Sequence, residues 1–168
     1  SKKQTLRVSG KGQVLVVGGS GRVQTYLSDS EGTWNLVSKS VQGGVPSFGS
    51  RVRVSSEGRS LVVASSTASR SYTFSAKRRK WIKEGKISGH RIVDLSGDGT
   101  KALASKAKRF QLYSNVNGTW SKTGRSFLGP RGGTMSSDGS TVAIADSSKL
   151  GKGNLDKITL YRIDKETG

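Results

Sequence analysis

Four times this chain sets a serine three residues before a glycine, between two short apolar runs. The turns read SGKG from Ser9, SSEG from Ser55, SGDG from Ser96 and SSDG from Ser136, at spacings of 46, 41 and 40 residues. A period near 40 with a turn inside it restricts the chain to a repeat architecture. One and three residues before each serine stand Val8 and Leu6, Val54 and Val52, Leu95 and Val93, then Met135 and Gly133. That period of two predicts a strand with one apolar face. A second strand follows each turn and closes on a small residue: Gly18, Ala64, Ser105 or Ala145.

A third strand ends in an aromatic residue, at Tyr26, Phe74, Tyr113 and Tyr161. Trp34, Trp81 and Trp120 each open a fourth, and glycine-bearing links at Gly43-Gly44, Gly89 and Gly129 lead onward. Four short antiparallel strands in about 40 residues make one blade of a β-propeller. The expected fold is all-β and propeller-like: four repeats of four-stranded antiparallel blades, the last lacking its outer strand. One domain is expected over 1–168, with units at about 5–43, 48–89, 90–129 and 130–168. The pattern stops at Gly168, where the other units approach their tryptophan, and nothing before Leu6 supplies the strand. Either four blades close on themselves, or an arc is completed by another chain that protects the open edge.

Composition narrows the function classes. The chain has 168 residues, enough for one buried core, and its 23 glycines with only 2 prolines suit many tight turns. Cysteine is absent, which excludes disulfides, thiolate metal sites and cysteine nucleophiles. Lys and Arg number 29 against 11 acidic residues, a net charge of +18. Such a balance attracts polyanions: nucleic acid, an anionic surface or an acidic protein. The opening Ser-Lys-Lys-Gln shows no apolar signal segment, and no run suits a transmembrane helix. Cytoplasmic synthesis without membrane insertion is expected, with Ser1 as the mature end after loss of the initiator methionine.

The run FGSRVRVSSEGRSLVVA, Phe48 to Ala64, resembles the FG-GAP repeats of integrin-like propellers. The segment SSDGSTVAIA from Ser136 also resembles blades of WD40-like and TolB-like propellers. The resemblance covers nearly the whole chain and implies the propeller fold, with no specific function. It also implies a place to look for calcium, because FG-GAP blades often carry a D-x-D-x-D-G loop. Here only Asp94, Ser96 and Asp98 approach that spacing. The downstream acidic position is Ala102, and the other turns carry Arg7, Arg53 and Thr134 where Asp94 stands. The expectation is that these turns are structural, with no metal and no cofactor.

No catalytic constellation is visible. His90 is the only histidine, no G-x-S-x-G motif occurs, and Glu57, Asp98 and Asp138 sit in the repeated turns. The glycine clusters at Gly18-Gly19-Ser20-Gly21 and Gly151-Lys152-Gly153 lack the phosphate-loop pattern and read as strand connections. The Asn117-Gly118-Thr119 sequon is read as unused. Basic clusters are the more informative departure. Lys77, Arg78, Arg79 and Lys80 fill one turn, with Lys83 beyond it; Lys106, Lys108 and Arg109 fill another. These are candidate anion or nucleic-acid contacts. First strands normally line a propeller axis, which makes Arg7, Arg53, Arg91 and Arg131, together with Arg51, candidate channel residues. The functional expectation is a non-enzymatic structural module that joins other protein subunits in a larger assembly, such as a virion or other particle. The alternatives are a nucleic-acid-binding module and a ligand- or glycan-binding propeller.

Overall fold

The structure, a computed structural model, describes residues 4–37, 41–129, 132–146 and 157–163. Every regular element among them is a β-strand, and no helix is long and apolar enough to cross a membrane. Blade 1 contains β1 (Thr5–Val8), β2 (Val14–Gly19), β3 (Arg22–Ser28) and β4 (Trp34–Leu36), with a short β5 (Val41–Gln42) also beside β3. Blade 2 contains β6 (Arg51–Val54), β7 (Ser60–Ala64), β8 (Ala68–Ser75) and β9 (Lys80–Ser88). Blade 3 contains β10 (Arg91–Leu95), β11 (Lys101–Lys106), β12 (Arg109–Val116) and β13 (Thr119–Leu128). Blade 4 contains β14 (Gly132–Met135), β15 (Thr141–Asp146) and β16 (Lys157–Arg162).

Each sheet is an antiparallel meander in chain order, so the all-β, propeller-like fold class read from the sequence holds. Among the described residues β16 has no fourth strand beside it. Two details differ from the sequence reading. The outer strand of blade 1 is split between β4 and β5. The aromatic of blade 2 equivalent to Tyr26 is Tyr72, not Phe74: Tyr26 pairs with Leu15 and Tyr72 with Leu61, each the sixth residue after its turn serine. Phe74 lies one pleat further and stacks edge-on against Trp81 at 5.3 Å.

The turn serines explain the repeat. Each hydroxyl accepts from the amide five residues on: Val14, Ser60, Lys101 and Thr141, at 3.1, 3.0, 2.9 and 3.0 Å. The glycine closing each turn has a φ of 71°, 72°, 79° or 68°, a left-handed conformation that glycine adopts without steric cost. The turns also touch one another. The Lys11 amide donates to the Ser56 carbonyl at 3.0 Å, that of Ser56 to Gly97 at 2.7 Å, and that of Gly97 to Ser137 at 2.6 Å.

Between the turns and the outer strands, the sheets stack face to face. One core cluster joins blades 1 and 2 through Val14, Val16, Val52, Leu61 and Val63. A second joins blades 2 and 3 through Val62, Ala64, Ile92, Leu95 and Ala104. A third joins blades 3 and 4 through Leu103, Phe110, Met135, Val142 and Ile144. Blade 2 is covered on both sides, so β7 is an unbroken apolar run, Leu61-Val62-Val63-Ala64, with every member buried. Trp81 donates its indole N–H to Thr25 Oγ1 of blade 1, and Trp120 donates to Ser71 Oγ of blade 2, both at 2.9 Å. The tryptophans therefore bind the preceding blade, in an apolar setting with their one polar atom satisfied.

The turn-to-turn ladder gives a direct test. A Cβ on Gly97 would lie 2.3 Å from Ser137 Oγ and 2.7 Å from Ser56 Oγ. Gly97→Ala is expected to cost about 1–3 kcal/mol in urea unfolding. Gly132→Ala, whose Cβ meets nothing within 4 Å, is expected to stay within about 0.5 kcal/mol of wild type. Equal effects would show that the ladder is not a packing constraint.

Candidate functional site

Pairing with the second strands places the innermost residues in two rows. Thr5, Arg51, Arg91 and Gly132 lie opposite Gly18, Ala64, Ser105 and Ala145. Arg7, Arg53, Asp94 and Thr134 lie opposite Val16, Val62, Leu103 and Ala143. A bulge between Ile92 and Asp94 swings Val93 into the core and brings Asp94 into register with the second row. The rows open onto a cavity of about 570 Å³ lined by Arg7, Arg51, Arg53 and Arg91, with Val93 and Phe110 among its apolar contacts. Among the described residues neither a carboxylate nor a histidine lines it. Arg131 lies outside the described residues.

Arg51 and Arg53 are held in place. Arg51 donates to the Ile92 carbonyl at 3.2 Å, which crosses from blade 2 to blade 3. Arg53 Nε lies 3.3 Å from Asp94 Oδ1. The other oxygen of Asp94 accepts from Thr134 Oγ1 and from the Met135 amide, so this carboxylate ties blades 2, 3 and 4 together. Burial, then repulsion from Arg91 and Arg7, lowers the pKa of Arg51. Burial and Arg7 also lower that of Arg53, against the pull of Asp94.

The weighed calcium residues are separated by these contacts. Asp94 faces blade 4, whereas Asp98 caps its own turn, accepting from Ser96 Oγ at 2.6 Å and from the Thr100 amide at 3.0 Å. Among the described residues no three His, Cys, Asp or Glu side chains are grouped to hold a metal ion. His90 stacks edge-on against Tyr113, and its Nδ1 lies 3.1 Å from both the Tyr113 hydroxyl and the Ser88 carbonyl.

The two basic clusters lie at opposite ends of the blades, because successive turns of a meander alternate. Lys77, Arg78, Arg79 and Lys80 are exposed in the β8–β9 turn, at the same end as the S-x-x-G turns, and Lys83 lies further along the outer strand β9. Lys106, Lys108 and Arg109 are exposed around the β11–β12 turn at the other end. Ala107 in that turn lines the arginine cavity, which connects this second cluster to the axis.

A further feature escapes a reading of single motifs. In blade 1, Val8, Leu15, Tyr26 and Leu36 form one row across four strands, with Leu6, Val17 and Trp34 on the same face. The equivalent face of blade 2 is covered by blade 1, but here Leu6, Val8, Trp34 and Leu36 are 41–55% exposed. In blade 4, Ala143 and Ala145 pair with Leu160 and Ile158 on the face turned away from blade 3. Ile158 and Leu160 are 68% and 69% exposed. Leu112 of blade 3 holds the place taken by Thr25 and Ser71 beneath the indoles of Trp81 and Trp120. With Phe127, Tyr161 and Ile163 it lines a cavity of about 280 Å³. The signal for these faces lies in the first and last repeats, whose apolar residues follow the pattern of the inner ones without a neighbour to cover them.

No protein-family model and no curated protein matches the chain. Solved structures do. A putative 6-phosphogluconolactonase from Bacteroides fragilis aligns at TM-score 0.65 and 16% identity, over 95% of this chain and 50% of that one. The Cps50 (Swd1) β-propeller domain of Myceliophteria thermophila aligns at 0.62 and 17%, over 88% and 51%. TolB from Acinetobacter baumannii aligns at 0.57 and 19%, over 96% and 41%. At these identities the likeness establishes the propeller fold alone. The chain spans 50%, 51% and 41% of the length of these three structures.

The capped carboxylates set a pH dependence. Burial raises the Asp98 pKa, but bonds from Ser96 and Thr100 outweigh it and leave the carboxyl below its ordinary value. Bonds from Ser136 and Ser140 hold Asp138 at about 2. A depressed carboxyl stabilises the fold above its unfolded pKa and loses that contribution as pH falls through its folded pKa. Stability is therefore expected to drop between about pH 4 and pH 2. In thermal melts, Asp138→Asn should differ from wild type at neutral pH and converge with it near the lower limit. A pH-independent difference would remove the carboxylate from the account.

Proposed function

We propose that the chain is a non-enzymatic propeller module that docks into a larger assembly through the uncovered faces of its terminal blades. One observation carries this. The interface made three times within the chain is left half-made at each end, at Leu6, Val8 and Leu36 in blade 1 and at Ile158 and Leu160 in blade 4. The fitting partner presents an apolar β-sheet face of the same kind. In this scheme units 5–43, 48–89, 90–129 and 130–168 work as one domain. The cationic surface suits an assembly with anionic neighbours, and a virion or other particle is one such setting.

The test is the mass of the purified chain by native mass spectrometry and sedimentation, at low and high salt. Association is expected, and Leu6→Glu with Leu160→Glu should abolish it while far-ultraviolet circular dichroism stays unchanged. A monomer at all concentrations, or association that survives both substitutions, rules the docking faces out.

A second observation favours nucleic-acid binding by the β8–β9 turn. Lys77, Arg78, Arg79 and Lys80 are all exposed, and neither ion pair found among the described residues involves them. Four phosphate contacts would cost roughly a hundredfold in affinity between about 50 and 200 mM salt. Reversing those four charges should abolish most binding to duplex DNA or RNA. A salt-insensitive affinity would exclude this mode.

A further inference from the structure

We propose that the axial cavity is a binding site for a multiply charged phosphoryl anion, held by Arg7, Arg51 and Arg91 with Arg53 at its edge. The site stands independently of the docking faces.

Three features of the cavity point to such a ligand. The first is charge. Four guanidiniums line it among the described residues, and the carboxylate beside Arg53, that of Asp94, is shared between Arg53, Thr134 and the Met135 amide. Arg7, Arg51 and Arg91 are in no ion pair found among the described residues. Burial and mutual repulsion already act against the charge on Arg51. An anion would relieve that repulsion, and a ligand that binds only the folded state stabilises it.

The second feature is shape. The cations come from blades 1, 2 and 3, while blade 4 contributes Gly132 and Gly133 and the preceding link contributes Gly129. There is open space at Gly132, where a Cβ would meet nothing within 4 Å. The volume of about 570 Å³ falls within the range of small-ligand sites. The third is preorganisation. Arg51 is tied to the Ile92 carbonyl and Arg53 to Asp94 and the Val52 carbonyl, so binding orders fewer side chains.

The chemistry favours phosphate over a lone carboxylate. A guanidinium presents a planar fork that matches paired oxygens on phosphate or carboxylate. One carboxylate offers two oxygens and a single charge, which leaves two of the three unpaired guanidiniums unanswered. A di- or triphosphate offers tetrahedral oxygens in several directions and a charge that matches the cluster. Lys106 and Lys108 flank Ala107 at the rim, where a longer anion would meet them.

The test uses the purified chain with inorganic triphosphate, pyrophosphate and phosphate as probes, read by calorimetry and thermal shift. Citrate and sodium chloride at matched ionic strength serve as controls. Triphosphate is expected to bind with one-to-one stoichiometry and to raise the melting temperature more than either control. Arg51→Gln and Arg91→Gln should each weaken binding at least about tenfold. Arg91→Gln should also melt no lower than wild type without ligand, because its repulsion of Arg51 is removed. A variant with Lys77, Arg78, Arg79 and Lys80 changed to serine should bind as wild type does. Equal stabilisation by sodium chloride would show screening alone. Equal binding by the Arg51 and Arg91 variants, or loss of binding in the Lys77–Lys80 variant, would place the anion elsewhere. Each of these results overturns the site. Self-association is read separately, by mass, so failure of one proposal leaves the other decidable.

Discussion

A propeller blade is a small sheet with two apolar faces, and such a sheet cannot leave both in water. Burial returns about 25 cal/mol per Å² of apolar surface, so each blade depends on its neighbours. Blades 2 and 3 satisfy this on both sides, and their second strands show it: Leu61 to Ala64 and Ala102 to Ala104 are buried without alternation. Blades 1 and 4 satisfy it on one side only. In blade 1 the alternation returns, with Val14 and Val16 buried and Leu15 and Val17 half-buried. The same packing rule explains the buried core and the exposed ends, and no separate cause is needed for the apolar surface at either end.

Stacking also fixes what happens at the axis. Blades that meet face to face bring their first strands together at the narrow side, where charged side chains cannot diverge. A carboxylate in each repeat would have balanced the arginines, but only blade 3 supplies one. The bulge at Val93 puts it in register with Arg53. Thr134 then closes the row by donating to Asp94, so at this row the fourth blade adds a hydroxyl. The positive potential of the axis thus follows from which residues stand in two rows of four, more than from the net charge of +18.

Much of the fold is legible in sequence because its signals are local. The serine hydroxyl reaches an amide five residues away, and the turn glycine needs only its own φ. The apolar alternation and the tryptophans follow the same period. The site is less legible because it is assembled across repeats. Arg7 and Arg91 are far apart in the chain, and their proximity depends on how the blades turn around the axis. Asp94 resembles the first residue of a calcium loop when only its neighbours Ser96 and Asp98 are read. Its partners are Arg53 and Thr134, some forty residues to either side. The Tyr72 register shows the same limit on a smaller scale: two aromatics one pleat apart both fit the strand pattern, and only pairing with Leu61 distinguishes them.

The two open faces and the axial cluster make opposing demands. Apolar burial at Leu6, Val8, Ile158 and Leu160 favours bringing another blade alongside. Charge resists it when the partner's first strands are also cationic, since they would face the existing guanidiniums across the axis. An anion between the first strands would remove that resistance without touching the faces. Linkage then requires the effect to run both ways: if the anion promotes association, association must tighten the anion by the same factor. Simple screening by salt would instead act on all 29 basic residues alike, with no dependence on Arg51 or Arg91. The distinction between a specific ligand and general screening therefore rests on two side chains at the axis, while the proposed association would rest on the exposed apolar residues of blades 1 and 4.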